Sequence, residues 1–118
     1  MQKVKIFHLN WEKTNRSFQA FFTAVTCPGA MESVKMNRIV KILMEEGCYD
    51  EVVSMAISVE KNPLEEAYYW TQNLEESWTK GFGMEEGKRS SSMGDVFEKD
   101  GEFFIVAMVG FDKIDNPF

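Results

Sequence analysis

The sequence predicts an α+β fold, with a small, mostly antiparallel sheet, two or three packed helices and a C-terminal hairpin. Three observations lead to this prediction. Apolar and polar residues alternate over 53–59, as in a half-buried strand, and an apolar stripe over 36–44 has helical spacing. Asp100-Gly101, a hairpin-turn dipeptide, separates two apolar runs near the end of the chain.

The first third of the chain predicts one strand and leaves one segment open. Residues 3–9 mix β-branched and aromatic side chains, which is typical of a strand. The phenylalanine-rich segment 18–25 fits a helical face and a strand alternation equally well, so periodicity does not decide between them. Cys27-Pro28-Gly29 ends whichever element precedes it.

The middle of the chain predicts a helix, a strand and a second helix. The first helix covers about 32–46, and Gly47 is suited to end it. The alternating strand 53–59 follows. Asn62 can then cap a helix that begins at Pro63 and runs to about 71 or 72.

The last third predicts an ordered loop and a hairpin. Residues 73–88 lack a regular period, but Trp78 and Phe82 require burial, which indicates ordered structure. Residues 95–98 and 103–109 form the two arms of the hairpin. Because 103–109 is apolar at successive positions, we expect a central strand covered on both faces.

Length and composition predict a single domain over 1–118. The chain is 44% hydrophobic, enough to bury a core, and no apolar run reaches the roughly 20 residues of a membrane span. Its start does not resemble a signal peptide, and Cys27 and Cys48 have no metal-ligand spacing. We therefore expect a cytoplasmic protein with reduced thiols and no membrane contact, present as a monomer or small homo-oligomer.

The formal net charge of -6 argues against direct nucleic-acid binding and is compatible with a basic protein partner or with solubility alone. His8 is the single histidine and lies in a predicted strand, where a satisfied, half-buried imidazole is the ordinary outcome. There is no phosphate-binding glycine loop and no metal motif. The sequence therefore predicts a non-enzymatic protein without a cofactor.

Glutamate pairs are the most prominent charged feature. A solvated surface is the simplest interpretation, because charged side chains are rarely buried unpaired. The alternative is a strip of carboxylates that imitates a phosphate backbone and occupies the nucleic-acid-binding groove of another protein. The residues of such a DNA mimic would be Glu45, Glu46, Glu75, Glu76, Glu85 and Glu86.

Trp70, Trp78 and Phe82 flank a polar stretch that contains Asn73. Aromatic side chains bordered by polar groups anchor many interfaces, but tryptophans in so small a domain more often form the core. Both interpretations stay open at this stage. As candidate interface residues we include Trp70, Asn73, Glu75, Glu76, Trp78, Glu85 and Glu86.

The segment from Arg89 to Asp95 is the best candidate binding feature. Arg89 offers a planar charged fork for a carboxylate or phosphate, and Ser90 and Ser92 add hydroxyl groups, so a small-ligand site is one possibility. The structural interpretation is favoured, in which Asp95 or Ser92 accepts backbone N–H groups and Arg89 pairs with Asp95 or with a nearby glutamate.

The C-terminal half resembles the YodL-like domains of phages, plasmids and conjugative elements. The resemblance covers about 49–114 and is most specific in the Arg-Ser-x-Ser-x-Gly-Asp-Val motif and the closing Gly-Phe-x-x-Ile. The matching residues are Leu64, Glu65, Tyr68, Gln72, Asn73, Trp78, Arg89, Ser90, Ser92, Gly94, Asp95, Val96, Gly110, Phe111 and Ile114.

The resemblance implies a small cytoplasmic accessory protein of a mobile element. Members of that family occur among auxiliary and counter-defence functions, and it has no established enzymatic activity or cofactor. We therefore expect this chain to bind a host or defence protein, such as a nuclease with a basic nucleic-acid-binding groove, and to modulate it by inhibition.

Overall fold

The computed structural model describes residues 1–10, 33–74, 76–84, 86–107 and 110–118. Cys27 lies outside these ranges. So does the segment 18–25, for which the sequence left both a helix and a strand open. The elements within them are, in chain order, β1 (Gln2–Leu9), α1 (Ser33–Glu45), β2 (Tyr49–Ile57), α2 (Pro63–Trp70), a 3-10 helix (Trp78–Phe82), β3 (Val96–Lys99), β4 (Glu102–Val106) and β5 (Phe111–Ile114).

The strands form one antiparallel sheet in the order β2-β1-β3-β4-β5. The two helices and this sheet confirm the predicted α+β class. Asp100 and Gly101 join β3 to β4 with φ angles of 50° and 83°, as a two-residue hairpin turn of the mirror-image type requires. The predicted hairpin is therefore present, and β5 extends it by one more antiparallel strand.

The sheet is covered on both faces, which follows from the alternation of side chains along β1. Ile6 belongs to a buried cluster that contains Ala67 of α2. Phe7, the next residue, belongs to a second buried cluster that contains Val40 and Leu43 of α1. The two helices therefore pack on opposite faces, which we call the α1 face and the α2 face.

Local signals explain where the helices begin and end. The Asn62 side chain accepts hydrogen bonds from the backbone N–H groups of Leu64 and Glu65, each at 3.2 Å, which caps α2 as predicted. Gly47 follows α1 with a φ angle of 74°, and the N–H of Cys48 donates to the carbonyl of Leu43 at 2.9 Å. This left-handed stop is one that glycine adopts without strain.

Two predicted strands have different bounds in the structure. The strand predicted over 53–59 runs from Tyr49 to Ile57, and Val59 beyond it is 69% exposed. The last hairpin arm ends at Val106 rather than 109. The ordered loop predicted over 73–88 contains a 3-10 helix from Trp78 to Phe82; Trp78 is buried as expected, but the expected burial of Phe82 was wrong, since this side chain is 38% exposed.

Candidate functional site

Asp95 is the centre of a buried polar network at the start of β3. Its side chain is fully buried, and its Oδ1 accepts the backbone N–H of Leu9 at 2.8 Å. Its Oδ2 accepts the backbone N–H of Ser92, also at 2.8 Å. A buried carboxylate needs such donors, because an unpaired buried charge is strongly unfavourable. Asp95 therefore connects the end of β1 to the loop before β3.

Arg89 supplies the opposite charge in this network. Its two terminal nitrogens donate to the two carboxylate oxygens of Asp95 at 2.6 and 2.8 Å. The same nitrogens donate to the carbonyl oxygens of Leu9 at 2.8 Å and Ser90 at 2.9 Å, and Nη1 also reaches the Ser92 hydroxyl at 3.3 Å. The guanidinium is thus engaged within the fold, which confirms the predicted pairing of Arg89 with Asp95.

His8, Ser91 and Thr71 form a buried chain of hydrogen bonds beside this ion pair. His8 Nε2 lies 2.9 Å from Ser91 Oγ, which lies 2.7 Å from Thr71 Oγ1. Asp95 Oδ2 approaches the same ring nitrogen, at 3.8 Å. In a nucleophilic triad the serine and the carboxylate contact different ring nitrogens. This arrangement differs from a triad, and Ser91 is only 1% exposed.

Burial lowers the pKa of His8 from 6.5 to about 4. The negative charge of Asp95 acts in the opposite direction, while Arg89 and Lys88 add to the lowering. The imidazole is therefore neutral at pH 7, and the network contains one full ion pair and a chain of neutral groups.

The loop before β3 is held to residues 73–78, which follow α2, by amide and indole groups. The Asn73 N–H donates to Ser90 Oγ at 2.7 Å, and its side-chain amide donates to the carbonyl of Lys88 at 2.9 Å. Asn73 Oδ1 accepts the N–H of Trp78 at 3.0 Å, and Trp78 Nε1 donates to the carbonyl of Arg89 at 2.8 Å. Asn73, Trp78 and Ser90, all predicted as binding residues, therefore hold the loop in place.

Large apolar side chains are exposed together next to this network. Trp70 is 53% exposed, Leu74 is 73% exposed and Phe82 is 38% exposed. They border a cavity of about 550 Å³ between α2, the 3-10 helix and the end of β2. We call it the aromatic groove; its lining residues are Met55, Ala56, Ile57, Tyr69, Trp70, Gln72, Leu74, Glu76, Ser77, Trp78, Gly81 and Phe82.

The two tryptophans, for which the sequence left core and interface roles open, have different environments in the structure. Trp70 is an exposed wall of the groove, whereas Trp78 is 5% exposed and packs its ring against Phe82 at 5.8 Å. Sequence reasoning missed Tyr69 and Leu74 as groove residues. A signal was available, since adjacent aromatic residues on a short helix cannot both face the core.

The acidic residues do not lie together. Glu45 and Glu46 are exposed at the end of α1, whereas Glu76 lines the aromatic groove beside α2, and the two helices pack on opposite faces of the sheet. Glu86 is exposed in the loop before β3. Glu75 and Glu85 lie outside the described residues.

A second, polar cavity of about 550 Å³ lies beside Arg89, His8 and Asp50. Among the described residues, no group of three or more histidine, cysteine or acidic side chains is arranged to hold a metal ion. None of the helices in the described ranges has the length and apolar content needed to cross a membrane.

Comparison with known proteins identifies no relative of this chain. No family model matches the chain, and neither a curated protein nor a solved structure matches it.

Proposed function

We propose that this chain is a small, non-enzymatic interaction protein that binds a partner protein through the aromatic groove. One observation carries the proposal: Tyr69, Trp70, Leu74 and Phe82 are exposed together around one cavity. Single exposed apolar residues are common on protein surfaces, but a contiguous patch bordered by polar groups is typical of an interaction site. Tryptophan and tyrosine are also the side chains that most often dominate binding energy.

The polar network supports this function by holding the groove in shape. Trp78 forms part of the floor of the groove, and its indole nitrogen is bonded to the backbone of Arg89. Arg89 is in turn fixed by the buried carboxylate of Asp95. A preorganised surface loses less conformational entropy on binding, so this network contributes to affinity without touching the partner.

The charge of the chain supports a basic partner. With a net charge of -6, the protein attracts basic surfaces and repels phosphate backbones. Together with the resemblance to YodL-like domains, this favours a host or defence protein in the host cytoplasm, such as a nuclease with a basic groove. We propose that binding modulates that partner by inhibiting it.

Two other functions have less support. A strict DNA mimic needs its carboxylates along one surface, but Glu45 and Glu76 are associated with helices on opposite faces of the sheet. A small-ligand site at Arg89 needs a guanidinium with donors to spare, but both terminal nitrogens already donate to Asp95 and to backbone carbonyls.

The experiment compares three forms of the protein as bait in lysate of the native host. These are the wild type, the double variant Trp70→Ala/Leu74→Ala, and Val59→Ala as a matched control, since Val59 is an equally exposed apolar residue that does not line the groove. The captured partner is purified and titrated against each form. We expect at least tenfold weaker binding for the double variant alone, and equal binding by all three would reject the groove as the site.

A further inference from the structure

We propose that the aromatic groove and the outer edge of β2 together bind an extended, basic segment of the partner as a sixth strand of the sheet. This inference rests on the proposed interaction function and specifies the form of the ligand. The segment would carry large apolar side chains at alternate positions, with lysine or arginine between them.

The two edges of the sheet differ in a way that singles out β2. β5, at one edge, has four residues and exposes Asp112 and Lys113. β2, at the other edge, has nine residues and, within the described part of the chain, pairs with β1 alone. Short, charged edges resist the addition of another strand, whereas long uncharged edges accept one. β2 is charged at its start, at Asp50 and Glu51, but residues 53–57, Val-Ser-Met-Ala-Ile, contain no charge and no proline, so this half of the strand is the part suited to pair with another.

The groove continues directly from this edge. Met55 and Ile57 point to the α2 face, where both belong to the buried cluster beneath α2, and both line the groove. A strand added next to β2 would place every second side chain on this same face. Those side chains would then lie next to Trp70 and Phe82. Backbone pairing along the edge with apolar side chains in an adjacent pocket is an established way of binding extended peptides.

Carboxylates border both ends of the proposed site. Asp50 and Glu51 are exposed near the start of β2, and Glu51 lies 3.7 Å from Lys5. At the groove end, Glu76 is exposed and Glu66 accepts a hydrogen bond from Trp70 Nε1 at 3.2 Å. Lys80 of the 3-10 helix is an exposed cation in this region. Lys5 and Lys88 also lie beside the carboxylates at the start of β2, so it is the net charge of -6 that favours a segment carrying lysine or arginine.

The test uses a synthetic probe, the blocked peptide Lys-Phe-Lys-Leu-Lys-Phe-Lys-Leu-Lys, titrated calorimetrically into the full-length protein. The same peptide with glutamate in place of lysine is the charge control. Two further versions are N-methylated at the odd or at the even positions. In an added strand only every second N–H faces the sheet, so one methylated peptide loses at least tenfold in affinity and the other binds like the parent.

Each outcome separates strand addition from groove binding. The proposal expects the lysine peptide to bind at least tenfold more tightly than the glutamate peptide, and expects slower amide exchange at 53–57. If Trp70→Ala abolishes binding of the captured partner but the two methylated peptides bind equally, the groove function stands and strand addition is rejected. If this chain instead forms a dimer through β2 that the peptide cannot dissociate, the edge of β2 binds a second copy of the chain, and strand addition by a partner segment is rejected.

Discussion

Arg89 and Asp95 form a bidentate ion pair, in which each carboxylate oxygen accepts a hydrogen bond from a guanidinium nitrogen, at 2.6 and 2.8 Å. Asp95 is fully buried, and it also accepts the backbone N–H groups of Leu9 and Ser92. The pair therefore joins the end of β1, the loop before β3 and, through the Arg89 carbonyl, the indole of Trp78. The most specific part of the sequence motif thus serves to position the indole of Trp78, which lines the groove.

Replacing the carboxylate with an amide should strongly destabilise the fold. Asp95→Asn removes the negative charge and leaves the Arg89 guanidinium without its counterion. Removing one partner of a buried pair costs about 3–5 kcal/mol, and we expect a value near 3 because Arg89 reaches solvent. Urea denaturation followed by circular dichroism measures the free energy of unfolding. Arg89→Lys keeps the positive charge but loses the bidentate geometry, so it should lower the free energy of unfolding by less. A loss below about 1 kcal/mol for Asp95→Asn would contradict the stabilising role of the ion pair.

Acid should destabilise the protein through His8. Its pKa is about 4 in the folded state, whereas the ordinary histidine pKa of 6.5 applies to the unfolded chain, so the unfolded state binds more protons between these values. The contribution of the neutral His8 imidazole to the free energy of unfolding is therefore fully present above about pH 6.5, and it is lost as the pH falls toward 4. The expected loss at pH 4.5 is about 2–3 kcal/mol relative to His8→Gln, which lacks the titrating group.

His8 also provides a direct reading of this pKa, because it is the single histidine of the chain. Its imidazole proton resonances in a proton NMR titration should stay at their neutral positions from pH 8 to about 5. A midpoint near 6.5 in the folded protein, or a pH profile of stability that His8→Gln does not change, would show that the imidazole is not held neutral by burial.

The two tryptophans should respond in opposite ways to truncation. Trp78→Ala removes a buried side chain and its hydrogen bond to the Arg89 carbonyl, so we expect a loss of about 3–5 kcal/mol in unfolding free energy. Trp70→Ala removes an exposed side chain and should change stability by less than about 1 kcal/mol. Thermal unfolding of both variants tests this. Substantial destabilisation by Trp70→Ala would indicate that its main role is structural.

The fold was largely predictable because its signals are local. The alternation in β2, the Asn62 cap, the Gly47 stop and the Asp100-Gly101 turn each depend on neighbouring residues. Boundaries were less predictable, since apolar residues such as Val59 continue a pattern beyond the point where backbone pairing ends. The backbone pairing of β2 with β1, and not the alternation of apolar and polar residues, determines where β2 ends.

The site was less predictable because it depends on long-range contacts. The pairing of Arg89 with Asp95 spans six residues and could be predicted. The contacts of His8 with Ser91 and of Leu9 with Asp95 span 83 and 86 residues. Which tryptophan faces solvent is likewise decided by packing, since Trp70 and Trp78 have equally apolar side chains.

Matched charge reversals should distinguish groove binding from DNA mimicry. Glu76→Lys and Glu46→Lys raise the net charge by the same amount, but only Glu76 lines the aromatic groove, while Glu46 follows α1 on the opposite face. Once the partner is purified, surface plasmon resonance at low and high salt measures its association and dissociation. We expect Glu76→Lys to slow association several-fold at low salt, because a charge at the rim acts mainly on the on-rate. Glu46→Lys should bind within about twofold of the wild type, since long-range steering from the far face is screened. An equal loss for both variants would mean that the net charge of the protein, and not the rim of the aromatic groove, controls association, which would contradict groove binding.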